Sequence, residues 1–186
     1  MYQRLLKLIF ATCVGLLAAF AAARGDDSPW VLVDTGAHTV SVIQGGVVKA
    51  TFRHIAVGRG GVAKVRYKGD GRTPLGTFRV AWINRNSRFH IFFGLDYPND
   101  GQAEIALQRN KIDIDTYYSI RTAAYRGILP PQDTELGGNI GIHGLGNGSR
   151  WLQRVADWTQ GCIALSNEQI DRLAQWVGLG TKVVIR

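Results

Sequence analysis

The chain has 186 residues, and its 22 Lys and Arg against 14 Asp and Glu give a formal net charge of +8 at pH 7. This length corresponds to one domain. A basic protein is drawn toward anionic polymers, but the basic residues are scattered and form neither a run nor a nucleic-acid-binding motif, so we expect no nucleic-acid partner.

Residues 1–23 have the pattern of a secretory signal peptide. Two basic residues precede an apolar run from Leu8 to Ala23, and the small residues at its end offer a cleavage site before Arg24. The alternative is a membrane anchor, but these sixteen residues are fewer than the roughly 20 that a spanning helix needs. We therefore expect an exported protein of the periplasm or cell envelope whose mature domain, residues 24–186, has a formal charge of +6 after loss of the two basic residues.

The mature chain is expected to begin with an antiparallel meander. β-branched or alternating runs at residues 30–34, 39–43 and 47–52 are separated by turn residues. The glycine-rich residues 58–72 lack the Gly-Lys-Ser/Thr signature of a phosphate loop and lead into a predicted tight turn, Thr73-Pro74-Leu75-Gly76. Strand character then returns at residues 77–83.

Residues 84–138 have the weakest pattern. Turn signals at residues 97–101 and at Pro130-Pro131 favour long loops around the sheet, and loops of this length often cover a binding site. This segment is therefore predicted to be a substrate cover.

The C-terminal part has clearer signals. Ser166 and Gln169 match a capping box, and apolar residues at helical spacing follow, which predicts a helix over residues 167–177. Glycines end the helix, and residues 182–185 form a final strand. The fold class is therefore mainly β with a short C-terminal helix.

Two apolar runs end in reactive side chains, His143 and Cys162, nineteen residues apart. Cys162 is the only cysteine outside the signal, in a compartment where thiols are usually paired, so it is either an inert core residue or a thiol kept for its chemistry. A cysteine attacks carbonyls as its thiolate, and histidine is a suitable base. Both side chains can meet at one end of a sheet, and Gly161 lets its own N–H and that of Cys162 face a developing negative charge.

Other readings remain open for the neighbouring residues. His143 itself could be a strand histidine bonded to backbone. His54 and His90 lie in strand-like contexts and are interpreted as structural, and no ligand pair has the tight spacing of a zinc site, so neither metal nor cofactor is expected. Trp158 and Tyr97 could line a groove or pack in the core. Asp157 could support the histidine or cap a loop.

The motifs His143-Gly144 and Thr159-Gln160-Gly161-Cys162, followed by Ile163 and Asn167, resemble the L,D-transpeptidase catalytic domain, also called the YkuD domain. Residues 69–78 are similar to the Thr-Pro-x-Gly turn of that family and residues 180–183 to its closing strand, so the resemblance covers about residues 30–186.

The resemblance implies a β-sandwich fold and a cysteine that attacks a peptidoglycan stem peptide after its third residue. D-alanine leaves, and the resulting thioester is passed to an amine on another stem or on a wall-anchored protein. Cys162 would be the nucleophile, His143 the general base and acid, and Gly144 the orienter of the imidazole through its carbonyl. The oxyanion and substrate-binding residues would be Gly161, Thr159, Gln160 and Trp158.

The sequence departs from the family pattern at two positions. Gln160 replaces a histidine found in many members, and Ala164 replaces an arginine, which leaves the substrate preference open. The surroundings of Asp157, Cys162 and Tyr97 look closer to a YafK-like branch, which is also associated with hydrolysis that releases proteins from the wall. Transfer to an amine, hydrolysis and wall binding by an inactive site are thus the three hypotheses, and we expect a monomer.

Overall fold

The computed structural model describes residues 27–186, so the signal peptide predicted for residues 1–23 lies outside the described part. The described chain contains an eight-stranded mixed sheet in the order β3-β2-β1-β10-β6-β7-β8-β9 and a separate two-stranded pair, β4-β5. The strands are β1 Trp30–Asp34, β2 Thr39–Gln44, β3 Val47–Arg53, β4 Val62–Ala63, β5 Thr73–Pro74, β6 Gly76–Ser87, β7 His90–Leu95, β8 Gly141–His143, β9 Ile163–Ala164 and β10 Lys182–Ile185. The helices are α1 Asp100–Gln108, α2 Ile114–Arg126, α3 Arg150–Val155 and α4 Asn167–Leu173. The prediction of a mainly β fold is confirmed.

The N-terminal meander forms as the sequence predicted. β1 pairs with β2, and β2 pairs with β3, both antiparallel. Alternate residues of the first two strands are fully buried, including Val31, Val33, Val40 and Val42, because successive side chains of a strand point to opposite faces. The burial of this single face fixes the register of the hairpin.

The long strand β6, with 12 residues, links the two parts of the sheet. The first part of β6 pairs with β10, and the part from Val80 onward pairs with β7. The outer strand β9 then meets the segment that follows β3, where Ala56 and Ala164 exchange two backbone hydrogen bonds of 3.0 and 2.8 Å. Hydrogen bonds therefore join β9, at one end of the sheet, to the segment that follows β3, the strand at the other end.

The prediction of long loops over residues 84–138 was wrong. β6 continues to Ser87, β7 follows, and two helices occupy much of the remainder. Asn99 caps α1 in a capping box with Gln102, and Asp113 caps α2. The turn-forming residues at this point therefore begin helices instead of building a loop.

Three smaller differences concern the ends of elements. Thr73–Pro74 forms a short strand, β5, which pairs in parallel with β4 and replaces the predicted tight turn. Helix α4 has the predicted capping box of Ser166 and Gln169, but it ends at Leu173 and the chain continues in turns. Helix α3 was not predicted. Within residues 27–186, no helix has the length and apolar character required to span a membrane.

Candidate active site

Strand register places Cys162 and His143 on one face of the sheet. β8 and β9 are parallel, with Ile142 opposite Ile163 and His143 opposite Ala164. Continuing this register by one residue puts Cys162 beside Gly141, and side chains two residues apart on a strand share a face. Both side chains line one cavity of about 1090 Å³. The structure thus brings together the two residues that the sequence singled out.

The His143 side chain is held by its own backbone neighbour. Its Nδ1 lies 2.6 Å from the Gly144 carbonyl oxygen. A carbonyl can only accept a hydrogen bond, so Nδ1 carries the hydrogen and the neutral ring keeps its lone pair on Nε2. The ring stacks on Phe89 and Phe92 at centroid distances of 4.3 and 5.7 Å.

Burial determines the charge of the imidazole. His143 is only 2% exposed, and this burial lowers its pKa from 6.5 to about 4, with the positive charge of Arg88 acting in the same direction. The hydrogen bond to Gly144 opposes the shift without cancelling it. The imidazole is therefore neutral at pH 7 and able to accept a proton.

Cys162 is a half-buried free cysteine, and its Sγ donates a hydrogen bond to the Asn139 carbonyl oxygen at 3.4 Å. Burial of the sulfur raises the pKa of this thiol from 9.0 to about 11, against a backbone hydrogen bond at Gly141 and the charge of Arg66, which lower it. The resting pair is therefore a thiol and a neutral imidazole.

Thr159 shapes the loop that carries the sulfur, residues 159–162, here called the cysteine loop. Its hydroxyl donates to the Cys162 carbonyl oxygen at 2.7 Å and accepts from the Gly161 N–H at 3.1 Å. The sequence had suggested that the N–H groups of Gly161 and Cys162 both face the reacting carbonyl. The first is bonded to Thr159, and among the hydrogen bonds of the described residues none uses the Cys162 N–H. Of these two N–H groups, that of Cys162 is therefore the one available to bond a reacting carbonyl oxygen.

Gly161 is required by the close packing of this loop. Its φ is +122°, a conformation that side-chain-bearing residues rarely adopt. A Cβ at this position would lie 2.5 Å from the Arg72 carbonyl oxygen. The glycine-rich residues 58–72 therefore support the cysteine loop, and a backbone bridge between Gly58 and Thr159 joins the two segments.

Asn167, at the start of α4, holds the loop that follows His143. Its Oδ1 accepts from the N–H groups of Leu145 and Gly146 at 2.9 and 2.8 Å, and its Nδ2 donates to the Gly146 carbonyl at 3.0 Å. These three bonds fix the chain directly after Gly144. The sequence marked Asn167 only as a motif position, and the structure shows what it holds.

Trp158 and Gln153 form a second supporting group. Trp158 lines the cavity and presents an edge to His143 at a centroid distance of 6.1 Å. Its Nε1 donates to Gln153 Oε1 at 3.0 Å, and Gln153 Nε2 donates to the Ala164 carbonyl at 2.8 Å. The buried Gln153 was missed by the sequence analysis because no local pattern distinguishes it. Gln160 also lines the cavity.

None of the remaining residues with open readings lines the cavity. Tyr97 is fully buried, with its hydroxyl 3.1 Å from the Leu136 carbonyl oxygen. Asp157 accepts from the Val57 N–H at 2.9 Å and faces the ring of His38, so it does not support the catalytic candidate. The other two histidines are exposed, and one has a carboxylate within hydrogen-bond distance. They are His54 and His90, the latter paired with Asp171 at 2.8 Å.

The cavity carries more positive than negative charge. Its ionisable lining residues other than the Cys–His pair are three cations and one carboxylate, namely Arg66, Lys68, Arg88 and Asp133. Within the described residues, no group of three or more His, Cys, Asp or Glu side chains could hold a metal ion. The arrangement thus combines a thiol, a neutral base and a positive field.

Comparison with known families identifies the family of this chain. The model of the YkuD family, described as the L,D-transpeptidase catalytic domain, matches residues 28–185. Because that match spans most of the sequence, the chain belongs to the YkuD family of L,D-transpeptidase catalytic domains. A search of curated proteins gave no significant match. The expected relation to a YafK-like branch stays a prediction.

Solved structures show the same fold. The chain is similar to the helical cell shape determining protein Pgp2 from Campylobacter jejuni, with a TM-score of 0.56 and 23% identity over 87% of this chain and 48% of that one. It is also similar to Bd1075 from Bdellovibrio bacteriovorus, with a TM-score of 0.52 and 17% identity over 86% of this chain and 48% of that one. The chain thus spans about half the length of these relatives, and such identities establish the fold alone.

Proposed function

We propose that the chain is an exported L,D-transpeptidase in which Cys162 attacks a carbonyl of a peptidoglycan stem peptide. The observation that carries the proposal is the shared cavity of Cys162 and His143, with the His143 tautomer fixed by Gly144. The signal peptide of residues 1–23 and the mature domain of residues 24–186 are part of the same proposal.

The first step is a proton transfer coupled to attack. Nε2 of His143 takes the hydrogen from Cys162 Sγ as the sulfur forms a bond to the carbonyl carbon after the third residue of the stem. Because the pKa of the thiol is raised to about 11 and that of the imidazole lowered to about 4, the ion pair is unfavourable at rest. The imidazolium instead forms as the sulfur attacks and the substrate carbonyl oxygen takes up the negative charge.

The negative charge then resides on the former carbonyl oxygen, and the Cys162 N–H is proposed to stabilise it by donating a hydrogen bond. Thr159 keeps this N–H in position through its two bonds to the loop. Collapse of the tetrahedral intermediate breaks the carbon–nitrogen bond. The protonated His143 gives its hydrogen to the departing amine of D-alanine, which leaves a thioester on Cys162.

The thioester is resolved by an acceptor. An amine of a second stem or of a wall-anchored protein attacks the carbonyl carbon, and His143 takes one proton from it. The carbon–sulfur bond then breaks, and His143 passes that proton to the sulfur, so Cys162 leaves as its thiol. Water at the same position would give a free acid, which is the hydrolase alternative. Trp158 and Gln160, on the cavity wall, are proposed to contact the bound peptide.

The decisive experiment incubates the purified mature domain with a stem tetrapeptide and an excess of acceptor amine, followed by mass spectrometry. The proposal predicts release of D-alanine and a new amide, whereas release of D-alanine with free acid alone would assign hydrolysis. Cys162→Ala should remove both reactions while wall binding persists. Turnover by that variant would reject the nucleophile, and wild-type protein that binds the wall without any turnover would be a binding module.

A second test is independent of the acceptor. The family resemblance predicts that a carbapenem acylates Cys162, which intact-protein mass spectrometry detects as one added mass. The Cys162→Ala variant serves as the matched control and should gain no mass. An unmodified wild-type protein after long incubation would argue against an accessible nucleophile.

A further inference from the structure

Arg66 is a buried cation in the wall of the catalytic cavity. Its side chain is 6% exposed, and it lines the same cavity as Cys162 and His143. Its charge also reaches the sulfur, because it counteracts the rise in the pKa of the Cys162 thiol. Arginine is seldom buried unless its charge is paired, so the partners of this guanidinium decide what it does.

The protein itself satisfies Arg66 poorly. Nη2 donates to the Tyr67 carbonyl over a long 3.3 Å, and Nε lies 3.5 Å from Asp70 Oδ1. Nε is buried and has no hydrogen-bond partner among the described residues. A buried donor without a partner costs free energy unless another group supplies the bond.

Asp70 is already engaged with the backbone. Its Oδ2 accepts from the Tyr67 N–H at 2.8 Å, and its Oδ1 accepts from the Arg72 N–H at 2.9 Å. These bonds hold the carboxylate to its own turn and prevent the two-pronged contact that a guanidinium makes with an unconstrained carboxylate. Much of the donor capacity of Arg66 therefore remains unused by the protein.

The other charged residues that line the cavity do not neutralise Arg66, so an anionic group of a ligand would complement it. Asp133 is the only carboxylate that lines it among the described residues, and Lys68 already binds Asp133. Arg88 lies over the Phe89 ring at 4.7 Å. The segment around the nucleophile adds no cation, since Gln160 is neutral. Arginine in a fixed position is well matched to a carboxylate, which it can bind through two parallel hydrogen bonds.

We propose that Arg66 binds a carboxylate of the peptide substrate and thereby selects acidic over amidated stem peptides. The inference rests on the proposed function for the identity of the substrate. The two carboxylates of a stem tetrapeptide that lie next to the reacting bond are the candidates, namely the C-terminal one of the leaving D-alanine and the one on a third-position diamino acid. Amidating each in turn identifies the source.

The test measures kcat/KM for three tetrapeptides, namely the free acid, the C-terminal carboxamide and the third-position carboxamide. Wild-type protein should prefer the free acid over one carboxamide by about 10- to 100-fold, which is the range for a charged hydrogen bond. Arg66→Gln should bring this ratio to within about twofold of one, because only the free acid loses its contact. Arg66→Lys should keep an intermediate ratio, since lysine retains the charge and loses the fork.

The ratio is taken within one protein preparation, so a partly unfolded variant cannot change it. Arg88→Gln is the matched control, because it removes an exposed cation from the same cavity wall without releasing Asp133 from its salt bridge to Lys68. Any effect that it has through His143 acts on all three peptides, so the ratio should stay within about twofold of wild type. Equal use of acid and carboxamides by wild-type protein would overturn the inference. So would a ratio unaffected by Arg66→Gln, or one reduced equally by Arg88→Gln. If Arg66→Gln does not fold, the wild-type and Arg66→Lys ratios decide in the same way.

Binding separates this inference from the proposed function. Titration calorimetry on Cys162→Ala protein gives Kd for the same three peptides without any chemistry. An acid preference that disappears in the Cys162→Ala, Arg66→Gln double variant supports the carboxylate site even if wild-type protein shows no turnover, in which case only the proposed function fails. Turnover by wild-type protein with no preference in either assay rejects the carboxylate site alone.

Discussion

The Thr159 hydroxyl bonds the carbonyl of Cys162 and the N–H of Gly161 at once, at 2.7 and 3.1 Å. Thr159→Val keeps the shape of the side chain and removes both bonds, which leaves two backbone groups of a buried loop unsatisfied. We expect kcat to fall by at least tenfold and the unfolding free energy by about 2 kcal/mol.

Thr159→Ser is the matched control for that substitution. It keeps the hydroxyl and should retain most of the wild-type kcat. Steady-state kinetics and urea unfolding of the two variants provide the comparison. A valine variant as active as the serine variant would show that the loop holds its shape without this hydroxyl.

A second prediction concerns Asn167 and the chain after His143. Asn167→Ala removes three hydrogen bonds, two from N–H groups to Oδ1 and one from Nδ2. We expect a loss of about 2–3 kcal/mol in stability and a lower kcat, because the Gly144 carbonyl that orients the imidazole is no longer fixed. Asn167→Asp retains the acceptor oxygens and should recover part of both. Kinetics and denaturant unfolding measure the effects, and equal losses in both variants would contradict this account.

The raised pKa of the Cys162 thiol predicts how its reactivity depends on pH. Since that pKa is about 11, the thiolate fraction at neutral pH is small, and the rate of alkylation by iodoacetamide should rise about tenfold per pH unit from pH 7 to 10. A small free thiol, whose pKa is about 8.5, should level off within this range. Intact-protein mass spectrometry gives both rates. A rate that is flat from pH 6 to 9 would indicate a resting thiolate–imidazolium pair instead.

His143 should make stability depend on pH at the acidic side. Its pKa is 6.5 in the unfolded chain and about 4 in the fold, so between these values the unfolded state binds more protons and stability falls as pH falls. Going from pH 7.5 to 4.5 should cost wild-type protein about 2.5 kcal/mol more than it costs His143→Gln. Urea unfolding at both pH values tests this, since other groups contribute equally to both proteins. Identical pH dependence would place a titrating, accessible imidazole at this position.

The packing of Gly161 leads to the last prediction. In Gly161→Ala the new methyl group would meet the Arg72 carbonyl oxygen, and the residue would be forced into an unfavourable φ. We expect the cysteine loop to shift and turnover to fall by at least tenfold. Gly178→Ala is a suitable control, because nothing lies within 4 Å of a Cβ at that position. Equal activity of the two variants would show that the loop accommodates a side chain.

The sequence predicted those parts of the fold that depend on local patterns. The meander follows from alternation of apolar residues, and α4 follows from the capping box of Ser166 and Gln169. The helices α1 and α2 were missed because few of their residues are buried; in α2 these are Ile120 and Ala123. The residues that cap α1, such as Asn99, are equally typical of turns.

The same distinction between local patterns and distant contacts applies to the residues of the candidate site. The sequence singled out Cys162, His143 and Gly144 because their residue types and motif spacing indicate chemistry, and their catalytic roles stay predictions. Arg66 and Gln153 could not be found, because their importance depends on contacts with residues that are distant in the sequence. Trp158, which bonds Gln153 from the cavity wall, lies close to it in the sequence. The hydrogen bond from Gln153 to the Ala164 carbonyl, in contrast, forms only in the folded chain.

The position of β10 between β1 and β6 makes the sheet depend on contacts between distant parts of the sequence. Val183 and Ile185 are buried in the middle of the sheet, although most of the described chain separates β10 from its neighbour β1. Without β10, the meander and the strands β6 to β9, which include His143, would have no ladder between them, and each would expose an unpaired edge. Contacts of such high sequence separation form late in folding, so the thiol-bearing cavity acquires its rigid support only when β10 is in place.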